Sequence, residues 1–116
     1  MHSSQNILVV DDNDQNLLLI KDLIEDLGVN VITCKKAQEA LTLLNKKKFS
    51  LIFLDIQLPV MDGFVLARLI HTNPMTQNIP IIFLTAVYTD DYHINKGYEC
   101  GAIDFISKPI IPTIII

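Results

Sequence analysis

Short apolar runs and longer amphipathic stretches alternate from one end of this chain to the other. Ile7-Leu8-Val9-Val10 is a compact run of β-branched residues and leucine, the length of a buried strand and too short for a helix. Asn13-Asp14 follows with side chains suited to capping a helix. Leu17, Ile20, Ile24 and Leu27 then recur at helical spacing as far as Gly28, which supplies a stop. Residues 29–33, Val-Asn-Val-Ile-Thr, alternate weakly and predict a second strand, and 37–47 predicts a helix with Ala37, Ala40, Leu41 and Leu44 on one face. Residues 50–54 carry the apolar run Leu51-Ile52-Phe53-Leu54, which suits a strand buried on both faces. Pro59 and Gly63 mark a loop, and residues 63–72 form a third helical pattern closed by Thr72-Asn73-Pro74. The run 80–85 opens on Pro80, tolerated at the first position of a strand. Residues about 90–100 give a weaker helix ending at Gly101, and 102–106 give the last strand.

Strands separated by helical patterns of this length predict βαβ units with right-handed crossovers. The result is an α/β domain with one parallel sheet and helices on both faces. In open parallel sheets ligands bind beyond the carboxyl ends of the strands. Four of the apolar runs end there in polar groups: Asp11-Asp12, Asp55, Thr85 and Ser107-Lys108. Three carboxylates, a hydroxyl and an ammonium on one edge suit a divalent cation and a phosphoryl group. Three carboxylates brought together repel, and a hard cation such as Mg2+ relieves this while keeping room for water and a phosphoryl oxygen.

Charge and composition narrow the classes. The 116 residues carry a net charge of −4, which argues against nucleic acid, whose binding needs a basic surface. The basic run, Lys46-Lys47-Lys48, sits where a helix should end, so interaction with the helix dipole accounts for it. Half of the residues are hydrophobic, yet no run approaches the ~20 residues of a membrane-spanning helix. The polar start Met1-His2-Ser3-Ser4-Gln5-Asn6 lacks the regions of a signal peptide. A single soluble, cytoplasmic domain is expected. Cys34 and Cys100 have no metal-ligand spacing and read as reduced, buried or half-buried thiols.

Together these motifs carry a resemblance. Asp11-Asp12 after the first strand, Asp55 after the third, Thr85-Ala86 after the fourth and Lys108-Pro109 after the fifth resemble the receiver (CheY-like) domain of two-component response regulators and hybrid sensor histidine kinases. The loop Asp55-Ile56-Gln57-Leu58-Pro59-Val60-Met61-Asp62-Gly63 resembles that family's phosphorylation loop, and Gly101-Ala102 with Phe105 three residues before the lysine fits as well. The resemblance implies a flavodoxin-like, doubly wound five-stranded parallel sheet of order 2-1-3-4-5. It implies phosphoryl transfer onto Asp55 from a phosphohistidine of a sensor kinase or phosphotransfer protein, with signal passed to an output domain or effector. The domain would assist its own phosphorylation without being a separate catalyst.

By the same resemblance Mg2+ is bound by Asp12 directly or nearly so, by Asp55 directly, by Asp11 through water, and by the Gln57 backbone carbonyl. Thr85 and Lys108 bind the phosphoryl oxygens, and the Lys108–Pro109 bond is cis. Thr85 and Phe105 form the switch, the hydroxyl moving toward the phosphoryl group and the aromatic ring turning inward. Phe105 stands where the family often has Tyr and lacks a hydroxyl, so its rotamer would rest on packing. The helix at 90–100 and the fifth strand would be the surface read by partners.

Two other readings use the same residues. A pseudo-receiver would bind partners without being phosphorylated. A phosphohydrolase of the haloacid dehalogenase-like family also uses an aspartyl nucleophile, but has an acidic residue two positions later, where this chain has Gln57. There are departures from the receiver pattern. The 23-residue interval from Thr85 to Lys108 is one longer than the commonest pattern, which suggests an insertion near Tyr88-Thr89-Asp90-Asp91. Leu58 replaces a frequent Met, and Gln57 and Val87 lie where the phosphoryl lifetime is tuned. The sequence ends at Ile116, so the fifth helix would be incomplete, the chain part of a longer protein, and the uncovered apolar face a place for dimerisation.

Overall fold

The computed structural model describes residues 5–85 and 102–107; for Thr85 and residues 102–107 the description is of the backbone. The elements run in the order β1 (Asn6–Val10), α1 (Asp14–Glu25), β2 (Asn30–Cys34), α2 (Ala37–Lys46), β3 (Leu51–Asp55), α3 (Gly63–Thr72), β4 (Ile81–Thr85) and β5 (Ala102–Ser107). All neighbouring strands pair in parallel, in the order β2-β1-β3-β4-β5 expected from the sequence. The expected helix at 90–100, Val87, the insertion near Tyr88–Asp91, Cys100, the Lys108–Pro109 bond and the fifth helix lie outside the described residues.

Period-two alternation explains how one sheet is covered twice. Leu8, Val10, Ile52, Leu54, Ile81 and Phe83 point to one face, where α2 and α3 supply Ala37, Ala40, Leu44, Phe64, Ala67 and Ile70. Ile7, Val9, Phe53 and Leu84 point to the other, where α1 supplies Leu17, Ile20 and Ile24. Central strands sandwiched this way read as near-continuous apolar runs, and β1 and β3 do: each is buried at its last four residues, apolar apart from Asp55 at the end of β3.

Two expectations about helix ends need correction. α1 stops at Glu25, and Leu27 lies beyond it in a turn, exposed, rather than on the buried stripe. The turn needs Gly28 at φ +82 and is closed by the Gly28 N–H on the Glu25 carbonyl; a left-handed residue there ends the helix. At the end of α2 only Lys46 lies in the last helical turn. Lys47 is already extended, at φ −134 and ψ 157, so α2 stops one residue short of the expected 37–47, with the lysine run at its end as expected. Among the described residues no helix is long and apolar enough to cross a membrane.

Cys34 closes β2 with its thiol buried and free. Burial pushes the thiol from an ordinary 9.0 up to about 12, and the nearby Glu39 carboxylate acts in the same direction. The native state therefore keeps a proton that the unfolded chain releases above its ordinary value. Stability from this group is complete below pH 9 and falls as the pH rises toward 12. At pH 8 Cys34 of a native Cys100→Ser variant should resist iodoacetamide and become reactive in denaturant, as intact mass would show; rapid native labelling of that variant would contradict this burial.

Candidate functional site

The carboxyl edge of the sheet is built by register. Val10 of β1 pairs with Leu54 of β3, so the next residues on each chain, Asp11 and Asp55, stand side by side. Asp55 in turn pairs with Leu84 of β4, and Thr85 pairs with Ser107 of β5. The backbone thus brings Thr85 to the expected edge, with Phe105 paired to Phe83 inside the sheet. The side chains of Thr85 and Phe105, and Lys108 altogether, lie outside the described residues.

Asp11, Asp12 and Asp55 converge: each offers an oxygen, and these oxygens lie within 4.8 Å of one another. Asp11 and Asp55 are buried and Asp12 is exposed. Capping of α1 falls to Asn13, as expected from the sequence, and not to the two aspartates before it. Its Oδ1 accepts from the N–H groups of Gln15 and Asn16 at 2.9 and 3.1 Å. Asp11 Oδ1 accepts the Asn13 N–H at 2.9 Å, and Asp11 Oδ2 accepts Asn16 Nδ2 at 3.3 Å. Asp12 makes no hydrogen bond or ion pair among the described residues, so the buried carboxylate is held and the exposed one is available. Asp14, the third acid of the cluster in sequence, turns away to pair with Lys35 at 2.6 Å.

The donor set suits Mg2+. It is all carboxylate oxygen, the hard chemistry that Mg2+ takes, and ligands opposite each other across a Mg2+ at about 2.1 Å stand about 4.2 Å apart. Oxygens within 4.8 Å of one another are near enough for one cation to be shared among them.

The loop after Asp55 is drawn tightly under this edge. Asp55 Oδ1 accepts the Gln57 N–H at 3.0 Å, which fixes the first turn of the loop. Gly63 then returns its N–H to the Ile56 carbonyl at 2.7 Å, and Asp62 caps α3 by accepting the Phe64 N–H at 2.6 Å. Phe64 packs edge-on against Phe83 at 5.1 Å between ring centres, which anchors the start of α3 to β4. A side chain on Gly63 would overlap the Asp55 carbonyl oxygen and stand 2.7 Å from Ile56 Cα. That explains the glycine: a backbone passes where a methyl would be.

Val60 marks the strain in this loop. The Met61 N–H reaches the Pro59 carbonyl at 2.7 Å across Val60, whose φ is +70. This is a γ-turn of the rarer, positive-φ kind, costly for a β-branched residue, and the Val60 side chain is fully exposed, without packing to offset it. Neither Val60's conformation nor the Asn16 contact was marked by the sequence reading. The signal for Asn16 was its place in the first turn of the helix that follows Asp11.

Comparison with known proteins adds a second line of observation. The sequence profile described as "Response regulator receiver domain" matches residues 7–116. Two-component response regulator ARR10 of Arabidopsis thaliana is 37% identical over 106 residues, covering 90% of this chain and 18% of that protein. Signal transduction histidine-protein kinase BarA of Escherichia coli (strain K12) is 36% identical over 112 residues, covering 92% of this chain and 12% of the kinase. The chain thus spans less than a fifth of the length of these relatives. The fold is similar to that of the receiver domain of sensor histidine kinase PA1611 from Pseudomonas aeruginosa PAO1, at a TM-score of 0.85 and 27% identity, over 97% of this chain and 92% of that one. That structure has a magnesium ion coordinated in its active site cleft.

Opposite effects are expected from two substitutions in the loop. Gly63→Ala should cost about 3 kcal/mol, because backbone must move to admit the methyl. Val60→Gly should raise stability by up to about 1 kcal/mol, relief of the left-handed strain being partly offset by a more disordered unfolded chain. Urea denaturation of the purified variants checks both, and a stable Gly63→Ala protein would refute the close approach.

Proposed function

Since this chain belongs to the response regulator receiver domain family, we propose that it accepts a phosphoryl group on Asp55 from a phosphohistidine of a sensor kinase or phosphotransfer protein. The observation that carries this reading is the convergence of Asp11, Asp12 and Asp55 at the carboxyl edge of the sheet. Asp12, exposed and without a partner among the described residues, is the direct metal ligand together with Asp55. Asp11, held by two donors from the start of α1, acts through water. The Gln57 carbonyl completes the set, its residue being oriented by the N–H contact to Asp55. Mg2+ bound there supplies positive charge that offsets the carboxylates and the incoming phosphoryl oxygens.

In the reaction a carboxylate oxygen of Asp55 forms a bond to phosphorus as the bond from phosphorus to the donor imidazole nitrogen breaks. The electron pair of that bond stays on the imidazole, which leaves neutral if its other nitrogen carries the proton. The product is an acyl phosphate on Asp55. Thr85 donates its hydroxyl to a phosphoryl oxygen and Lys108 pairs with the added charge. Thr85 and Phe105 then carry the change toward an effector or output domain. Only partners that bind the two states with different affinity can read it. The domain takes part in one transfer and is not a catalyst of its own. We assign it to the cytoplasm, a reducing compartment that suits the free Cys34 thiol.

Incubation with Mg2+ and acetyl phosphate should add roughly 80 Da to the wild-type protein, one phosphoryl group, and nothing to Asp55→Asn or to wild type in EDTA. Intact-protein mass spectrometry reads all three. A folded, Mg2+-binding wild type that gains no mass would replace this reading with that of a binding module.

A further inference from the structure

Asn16 is half-buried on the first turn of α1, and the helix does not need its side chain. The orphan N–H of Asn16 is already capped by Asn13 Oδ1 at 3.1 Å. Its carboxamide reaches back across five residues to Asp11 Oδ2 at 3.3 Å, while the Asn13 N–H holds Oδ1 at 2.9 Å. Two donors on two different oxygens define the plane of a carboxylate. The last torsion of Asp is broad, so a donor on one oxygen alone constrains that plane weakly. Asp12, next in sequence, has no such support among the described residues. The protein therefore orients one acid of the pair and leaves the other to adapt.

We infer that Asn16 is a positioning residue for the metal site: it helps to fix the plane of the Asp11 carboxylate beside the cation, with the donor N–H also easing the repulsion among three carboxylates. This deepens the reading that Asp11, Asp12 and Asp55 hold Mg2+, and rests on it. Orientation of this kind matters for affinity because an outer carboxylate that receives a metal-bound water must present its oxygen in one direction. Loss of such a supporting contact weakens metal binding by about tenfold to a hundredfold in sites where it has been broken. The long 3.3 Å contact argues for the lower end of that range.

The test compares wild type with Asn16→Ala and Asn16→Leu, the second keeping the bulk and neither keeping the donor. Mg2+ binding is read by titration calorimetry, metal-free stability by thermal melting, and the phosphorylation rate with acetyl phosphate at saturating Mg2+. Both replacements form helix better than Asn, which offsets the lost contact to Asp11, so melting temperatures close to wild type are expected. Mg2+ should bind about tenfold more weakly, with the rate at saturating metal close to wild type. A structural role alone would lower stability and affinity together. Variants that bind Mg2+ as wild type does, or that lose affinity only in step with melting temperature, overturn the inference. Wild type that binds no Mg2+ overturns the metal reading itself and this inference with it, an outcome distinct from unaffected variants.

Discussion

The register between β1 and β3 is the constraint on which the rest depends. Once Val10 pairs with Leu54, Asp11 and Asp55 are forced to be neighbours at the sheet edge, and Asp12 follows. Two carboxylates at about 5 Å repel by roughly 1 kcal/mol in water and about 3 kcal/mol near a protein surface. The apolar strands impose this by burying side chains on both faces, where a slip of one residue would exchange the two faces of the strand. Core packing thus stabilises an edge that its own charges destabilise. Carboxylates gathered in this way by a rigid sheet could hold a cation.

The fold was legible because its physics is local and redundant. Five apolar runs separated by amphipathic segments admit few topologies, and the predicted strands match the observed ones to within a residue or so. What failed was the reading of ends. Leu27 fits the helical period of Leu17, Ile20 and Ile24, but Gly28 draws the chain into a left-handed turn and α1 ends before it. Periodicity says which residues could share a face, not where the backbone stops obeying the period. The Lys46-Lys47-Lys48 run does mark the end of α2, with the helix stopping at Lys46, one residue before the expected bound.

The site was legible to a different depth. Acidic residues at the ends of two apolar runs announce a shared edge, and the structure brings Asp11, Asp12 and Asp55 together. Thr85 reaches the same edge by its backbone pairing. The pattern of residues alone did not show that Asp11 is buried and Asp12 exposed, because that depends on how the chain turns after β1. Nor could it show the strain at Val60 or the reason for Gly63, which are facts of three-dimensional closeness. A glycine in a loop suggests a turn, whereas this one exists because Ile56 and the Asp55 carbonyl occupy the space.

Those two residues bear on the same functional demand from opposite sides. On the proposed reading the loop must leave Asp55, supply the Gln57 carbonyl to the edge and be back at α3 within eight residues, from Asp55 to Gly63. Gly63 permits the close return, and Val60 holds the sharp turn at the cost of a disfavoured φ. A relaxed loop would be longer or more open, and its carbonyls would be free to take several directions. On the proposed reading a metal ligand drawn from the backbone has no side-chain torsions to adjust, so its direction is set by the loop alone. Strain at Val60 is then the consequence of fixing a backbone oxygen at a sheet edge. It persists because β3, α3 and the Phe64–Phe83 contact hold both ends of the loop.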